Sequence, residues 1–537
     1  MRPNTSEHVR DILVIGAGLA GLYAVHAARQ RGRDVLCLEA GSGVGGTWYW
    51  NRYPGARCDV ESIDYSYSFD EQLQRDWCWS ERYASQPEIL SYIHHVTERF
   101  TLAPHIRLDT TVTSAVFDES GSVWRLGTAA GQWYAAKYLV CATGSLSEPH
   151  TPPIPGLGDF AGQTLYTAQW PAEPPSFDGK RVGVIGTGSS GIQSVPEIAT
   201  QAVHLTVFQR TANYSVPAPN RPLTNEDQER IRREYPQRRQ QSRRSGGGSP
   251  HVAYEKNGVD CTPEEITTEL EKGWQTGGVL FSKAFPDQLS NPETNRYARE
   301  FAEAKIRAAV DDPETAEDLI PTDHPIGTKR ICTDNGYYET FNRDNVTLVN
   351  LRKNPITTIH PWGVRTESTT HPLDVLVLAT GFDALTGTLT RIDIRGRNGA
   401  TLADTWSAGP VSYLGFQVPD FPNLFLVNGP GSPSVLANMI LTSELQVDWI
   451  LDLLDVADAQ HAEHIETTGD AAHGWTQHVQ EIAEQTLFPR ANSWYVGANI
   501  AGKPRQFMLY VRGLGNYTDV CHNEAAQGYP GFIIDSH

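Results

Sequence analysis

The chain has 537 residues, 39% hydrophobic and 20% charged, with a formal net charge of −19. That length exceeds one ordinary core and predicts two or three domains, while the composition excludes bulk disorder. The acidic balance disfavours nonspecific binding to nucleic acid or anionic membrane, and no apolar run approaches the roughly 18 residues of a spanning helix.

The first element is the strand-like run DILVIG, from Asp11, which leads into GAGLAG at Gly16 to Gly21. It is too short and wrongly flanked for a signal peptide, so a cytoplasmic protein is expected. An apolar helix and a second strand, VLCLEA, follow and place Glu39 23 positions after Gly16. Glycines at this spacing let backbone N–H groups approach a pyrophosphate at a helix N-terminus, and an acid about twenty positions on accepts from a ribose 2′-hydroxyl. The pattern predicts an FAD-like dinucleotide. A helical stretch near Gln86 to Phe100 and the strand KYLVCATG, ending at Gly144, complete this unit.

A proline-rich connector, Glu148 to Gly156, reads as a semi-rigid linker. The second unit opens at about Arg181 with RVGVIG and repeats the turn as GTGSSG, Gly186 to Gly191. Its next strand, LTVFQR, brings Gln209 to the position of the acid, with Arg210 beside it. Loss of the acid and gain of a cation suit a 2′-phosphate, as in NADPH. The strand DVLVLATG, ending at Gly381, mirrors the earlier CATG. Between the halves, Asn225 to Leu319 lacks Val/Ile strands and reads as a mostly helical insertion. Within it, Arg232 to Arg244 reads as a solvated helix face and SGGGSP, Ser245 to Pro250, as a mobile loop. Beyond Gly381, NLFLVNG reads as a strand and Val435 to about Val456 as a long helix, a segment expected to complete the first domain.

The fold expected is therefore α/β, with two Rossmann-like dinucleotide-binding domains and a helical insertion. Residues 1–147 with 382–537 are assigned to FAD, 148–224 with 330–381 to NADPH, and 225–329 to the insertion. The seven cysteines stand singly, so the sequence encodes neither a zinc cluster nor the paired thiols of a disulfide reductase. No metal is expected, and the cysteines read as small buried hydrophobes.

At this point the chain resembles the class B flavin monooxygenases, most closely the Baeyer–Villiger monooxygenases. The segment GGTWYWNRYPGARCD, Gly45 to Asp59, matches the flavin-side signature, and with it Gly46, Thr47, Trp48 and Asp59. FAGQTLYTAQWP, Phe160 to Pro171, matches the family fingerprint at Phe160, Gly162, Trp170 and Pro171, but Tyr166 stands where the family has His. TKRICTDNGYYETFNRDNV and NSWYVGANIAGKPR also resemble family segments.

The resemblance implies an enzyme that reduces bound FAD with NADPH, lets O₂ add at flavin C4a, and inserts one oxygen beside a ketone carbonyl through the C4a-peroxyflavin. It implies Arg330 as the catalytic arginine and Asp59 as the carboxylate that positions it. Lys329 and Arg210 are matched to the 2′-phosphate, and Trp494 to a tryptophan that closes over nicotinamide. Thr211, Ser189 and Ser190 can supply hydroxyls and N–H groups to phosphates, alongside Gly16, Gly18, Gly21, Glu39, Gly186, Gly188 and Gly191 in the two turns. The positive end of the helix after GPGSPS is aimed at the flavin N1–C2 carbonyl. Leu436 and Met439 are candidates for the ketone pocket. Tyr166 carries no positive charge near neutral pH, which leaves open an N- or S-oxygenating monooxygenase. A noncatalytic NADPH sensor is the third reading.

Overall fold

Ile12, Leu13, Val14 and Ile15 are all buried, as befits a strand covered on both faces. In the computed structural model, which describes residues 8–251 and 253–535, they lie in Val9–Ile15, a central strand of an eight-stranded sheet. This strand pairs in parallel with Val35–Leu38 on one side and Trp133–Cys141 on the other. Its side chains alternate between two cores: Ile12 and Val14 pack with helix Leu19–Gln30, while Leu13 and Ile15 face the opposite layer with Trp124 and Leu126. Leu424–Leu426 joins the same sheet beside Trp133–Cys141, so the chain beyond Gly381 returns to it.

Val346–Asn350, His204–Gln209, Arg181–Ile185, Val375–Leu378 and Gln163–Tyr166 form a second, five-stranded parallel sheet in that order. Between the halves lie helices Asn225–Arg244, Pro263–Thr276, Pro292–Ala309 and Pro313–Leu319; the second and third pack on an apolar cluster that includes Tyr214, Phe281 and Ile326, and the last on the core of the second sheet. The α/β class, the two Rossmann-like units and the helical insertion are thus as the sequence predicts.

The paired ATG turns have one physical cause. A Cβ on Gly16 would lie 2.7 Å from the carbonyl oxygen of Ala142, and one on Gly186 would lie 2.3 Å from that of Ala379. Each ATG turn therefore packs its first carbonyl onto the opening glycine of its own half. Inside each turn the closing glycine meets the opening one, with Cβ positions on Gly21 and Gly191 only 1.8 and 2.2 Å from the oxygens of Gly16 and Gly186.

Four local expectations change. The long helix runs Met439–Ala459, later than Val435, because Asn438 caps it by accepting from the N–H groups of Ile440 and Leu441. Residues 434–436 form a separate 3₁₀ turn in which Ser434 has φ +43°. The loop Ser245–Pro250 is anchored: Gly247 O accepts from Asn438 N, and Gly246 O from Leu514 N. The arginine run is not simply a solvated face. Arg239 is buried, donating to Ser66 Oγ, Asp64 O and Gln74 Oε1, and Arg238 forms a fork on Asp64. Among the cysteines, Cys78 is exposed and Cys261 half-buried; the other five are buried.

The second turn supplies a test of the close-approach argument. Gly188 has open space around its Cβ position, whereas Gly191 has none. Thermal unfolding is expected to show Gly191→Ala destabilised by about 2 kcal/mol or more, with Gly188→Ala unfolding within a degree or two of the parent. Equal transitions for the two variants would contradict this packing.

Candidate active site

At the end of the second strand Glu39 is buried and accepts from Ala17 N at 2.6 Å and Gly41 N at 2.7 Å. Burial raises its pKa, while the N–H groups of Ala17, Gly41 and Ala40 oppose that rise. The carboxylate thus stands directly over the glycine turn. Gly18, the N-cap residue of Leu19–Gln30, touches the flavin-side signature: a Cβ on Gly46, itself at φ +54°, would lie 2.9 Å from Gly18 Cα. Thr47 is exposed beside this contact, and Trp48 is buried, donating Nε1–H to Tyr65 Oη at 3.0 Å. Two backbones without side chains, a helix N-terminus and an acid at the strand end form a cradle that FAD fits.

The second turn is more open. Gly188 and Ser189 are exposed, and Ser190 and Thr211 are half-buried. Gln209 turns inward to donate to Asp318 O at 2.6 Å, leaving Arg210 exposed at the strand end. Lys329 lies near it, and Arg210 and Arg352 both add repulsion to its ammonium. Burial is the largest influence on Lys329 and lowers its proton affinity, opposed by Asp323 at 3.5 Å. Asp323 also takes Arg352 at 2.9 Å and His324 at 2.7 Å, and this histidine contact is the main cause of its depressed pKa. Lys329 and Arg352 on one carboxylate, with Arg210 beside Lys329, leave an excess of positive charge, which suits a phosphate dianion.

Asp59 and Arg330, 271 positions apart, meet in a two-pronged ion pair: Nε to Oδ2 at 2.5 Å and Nη2 to Oδ1 at 2.8 Å. The remaining nitrogen, Nη1, donates to Val435 O at 2.7 Å. Burial works against the guanidinium charge, but the adjacent carboxylate outweighs it and raises the pKa further above its ordinary value. Tyr495 stands against the pair; burial drives its hydroxyl up to about 12, so it stays protonated at working pH. Val435, Leu436 and Met439 join Leu146, Trp494 and Tyr495 in one apolar cluster, with Leu436, Met439 and Trp494 only partly buried. The loop bearing Trp494 is pinned by Lys503 Nζ on Asp383 at 2.6 Å and by Asn499 on Phe382 O. A fixed cation beside a mostly apolar wall can stabilise negative charge on an oxygen and exclude water.

The fingerprint segment belongs to the second sheet. Tyr166 ends the edge strand Gln163–Tyr166, in register with Leu378, and Phe160 lies in the core beneath it. Gly162 is required, since a Cβ there would lie 2.5 Å from Asp374 O and 2.7 Å from the Phe160 ring. Trp170 is buried and donates its backbone N–H to Trp50 O at 3.0 Å, tying the fingerprint to the flavin-side signature. Sequence reasoning missed Tyr495 and Arg352. Tyr495 adjoins Trp494 inside a quoted motif, but Arg352 had no signal in the sequence because only folding brings it to Asp323.

A family model described as pyridine nucleotide-disulphide oxidoreductase matches residues 13–243. A Baeyer–Villiger monooxygenase of Pseudooceanicola batsensis is 41% identical over 98% of this chain and 96% of its own. A phenazine N-monooxygenase of Lysobacter antibioticus is 44% identical over 98% of this chain and 97% of its own. A solved oxidised steroid monooxygenase bound to NADP superposes with TM-score 0.95 at 53% identity, covering 99% of this chain and 100% of that one.

The ion pair can be weighed by a double-mutant cycle. Asp59→Ala leaves a largely buried guanidinium unpaired and is expected to lower stability by about 1–3 kcal/mol, a range reduced for partial exposure. Adding Arg330→Met should recover part of that loss. Additive effects in chemical denaturation would show that the two side chains are not coupled.

Proposed function

The chain belongs to the FAD- and NADPH-dependent Baeyer–Villiger monooxygenases, and we propose that the Asp59–Arg330 pair is the centre at which it converts a ketone and O₂ to an ester or lactone. The observation that carries this reading is the guanidinium fixed on three sides, by both oxygens of Asp59 and by Val435 O. FAD, when bound, supplies the oxidation chemistry: it accepts hydride from NADPH and activates O₂. Residues 1–147 with 382–537 are taken as its domain, held through Gly16, Gly18, Gly21, Glu39, Gly46, Thr47 and Trp48. Residues 148–224 with 330–381 are taken as the NADPH domain and 225–329 as the insertion.

Each side chain then has one task. Arg330 cannot lose its proton at working pH, so it stabilises negative charge on the reacting oxygen and holds that oxygen unprotonated. Asp59 is a positioning residue that fixes the plane of the guanidinium. Tyr495 stays protonated beside it and can donate a hydrogen bond without competing as a base. Trp494 would cover the nicotinamide, and Leu436 and Met439 would border the ketone. Gly186, Gly188, Ser189, Ser190, Gly191 and Thr211 hold the NADPH phosphates, with Arg210 and Lys329 on the 2′-phosphate. The N-terminus of Met439–Ala459 would supply its positive end to the bound flavin. Tyr166 is a tolerated replacement within a linking segment, supported by its place at a sheet edge. The single cysteines suit a reducing cytoplasm, and no helix of the described residues is long and apolar enough to cross a membrane.

Oxygenation at nitrogen is the second reading, favoured by the 44% identity to phenazine N-monooxygenase. Chromatography of reactions with a cyclic ketone and an aromatic N-heterocycle separates the two. Lactone from the ketone is expected; N-oxide with no ester from any ketone tested would overturn the proposal.

Arg330→Ala should retain FAD, read by absorbance of the purified protein, and lose at least about 100-fold in ester formation. Near-parental conversion by this variant would refute the role of the guanidinium.

The cofactor end has its own test. Arg210→Ala should raise the Michaelis constant for NADPH by at least about tenfold, a charge-assisted contact being worth roughly 1.5–3 kcal/mol. NADH kinetics should change little; an equal loss with both nucleotides would move the phosphate site elsewhere.

A further inference from the structure

Lys283 ends the 3₁₀ segment Gly278–Lys283, whose first glycine lies against Tyr83 and the backbone of Asp59. Within the segment, Phe281 enters the core of the insertion, and Ser282 packs on Gly327, just ahead of Lys329. Lys283 turns to Gly247: its Nζ lies 3.0 Å from the position a Cβ would take there. The carbonyl of Gly247 accepts from Asn438 N, and Asn438 caps the helix that begins at Met439. The charge of Arg330 is close enough to act on the Lys283 ammonium. The ammonium thus stands at the anchored glycine loop, on a segment that touches Asp59 at Gly278 and packs on Gly327, three residues before Arg330.

What sets Lys283 apart is the absence of a counter-ion. Lys329 and Lys503 are also withdrawn from solvent, and each has an aspartate, Asp323 at 3.5 Å and Asp383 at 2.6 Å. Among the described residues, Lys283 has neither a carboxylate nor a hydrogen-bond acceptor at its Nζ. Burial and the neighbouring guanidinium both disfavour its charged form. The side chain is half-buried, and charged groups perturbed by burial and a like charge concentrate at sites where a ligand completes them.

We propose that Lys283 is a specificity residue that binds the carboxylate of an anionic ketone, a keto acid, and orients its carbonyl toward Arg330. This rests on the reading of Asp59–Arg330 as the reacting centre. The ligand supplies the missing counter-charge, and the fixed separation of Lys283 from Arg330 selects the spacing between carboxylate and carbonyl. Neutral ketones of the same skeleton enter without that anchor and bind more weakly.

The test uses FAD-loaded enzyme with NADP⁺ and a series of cyclohexanones bearing a carboxylate one to three bonds from the ring, each beside its carboxamide. Dissociation constants from calorimetry should favour at least one acid over its amide by about tenfold or more. Lys283→Met and Lys283→Gln should erase that preference while leaving amide binding and FAD content unchanged, and Lys283→Arg should keep most of it. No preference in the parent, or one that survives both neutral variants, overturns the proposal. Product analysis on the same pairs keeps the two readings distinct. Lysine-dependent acid binding without ester formation would sink the reaction assignment and leave this subsite standing, whereas ester formation without lysine-dependent binding would do the reverse.

Discussion

A guanidinium that must remain charged in a site largely closed to water imposes the central constraint on this molecule. Arg330 meets it by giving two nitrogens to Asp59 and the third to Val435 O. These partners come from distant stretches of chain: Asp59 from the signature after the first glycine turn, Val435 from the segment that returns to the first sheet. The pair therefore forms only when both dinucleotide units and the returning segment are in place. An isolated buried ion pair is weak evidence for stability. Its value here lies in a cation whose position and orientation are set before any substrate arrives.

The surrounding architecture follows from the same economy of backbone approach. In each half a glycine at positive φ receives the carbonyl of an ATG turn, bringing the strand end, the helix N-terminus and the crossing segment within van der Waals reach. Gly18 against Gly46 extends that approach to the flavin-side signature, and Trp170 against Trp50 links the signature to the fingerprint. Nucleotide ends, fingerprint and reacting pair are thereby joined through backbone contacts that tolerate little side-chain bulk.

Much of this was legible in the sequence because it is written locally. Apolar runs before each glycine turn specify buried parallel strands, and both are found. Boundaries fared worse where a side chain overrides the apolar pattern. Val435 and Leu436 read as helix, but the Asn438 cap and the positive φ of Ser434 begin the helix at Met439. Long-range contacts were not legible at all. Arg239 sits in a run that looks solvated and is buried by partners from Asp64 to Gln74. Arg352 acquires its meaning only by reaching Asp323, and Lys283 only by lacking such a partner among the described residues.

The central claim is that the geometry of Arg330, as well as its charge, serves the reaction. A lysine in its place would keep the charge but could not span both Asp59 oxygens and Val435 O together. The most direct measurement is the fraction of NADPH oxidation that appears as ¹⁸O-labelled ester under ¹⁸O₂, compared between the parent and Arg330→Lys. The account predicts one labelled oxygen per ester and close coupling in the parent. In the variant, FAD should stay bound while most reducing equivalents are lost as hydrogen peroxide. Coupling and labelling in Arg330→Lys equal to those of the parent would contradict it.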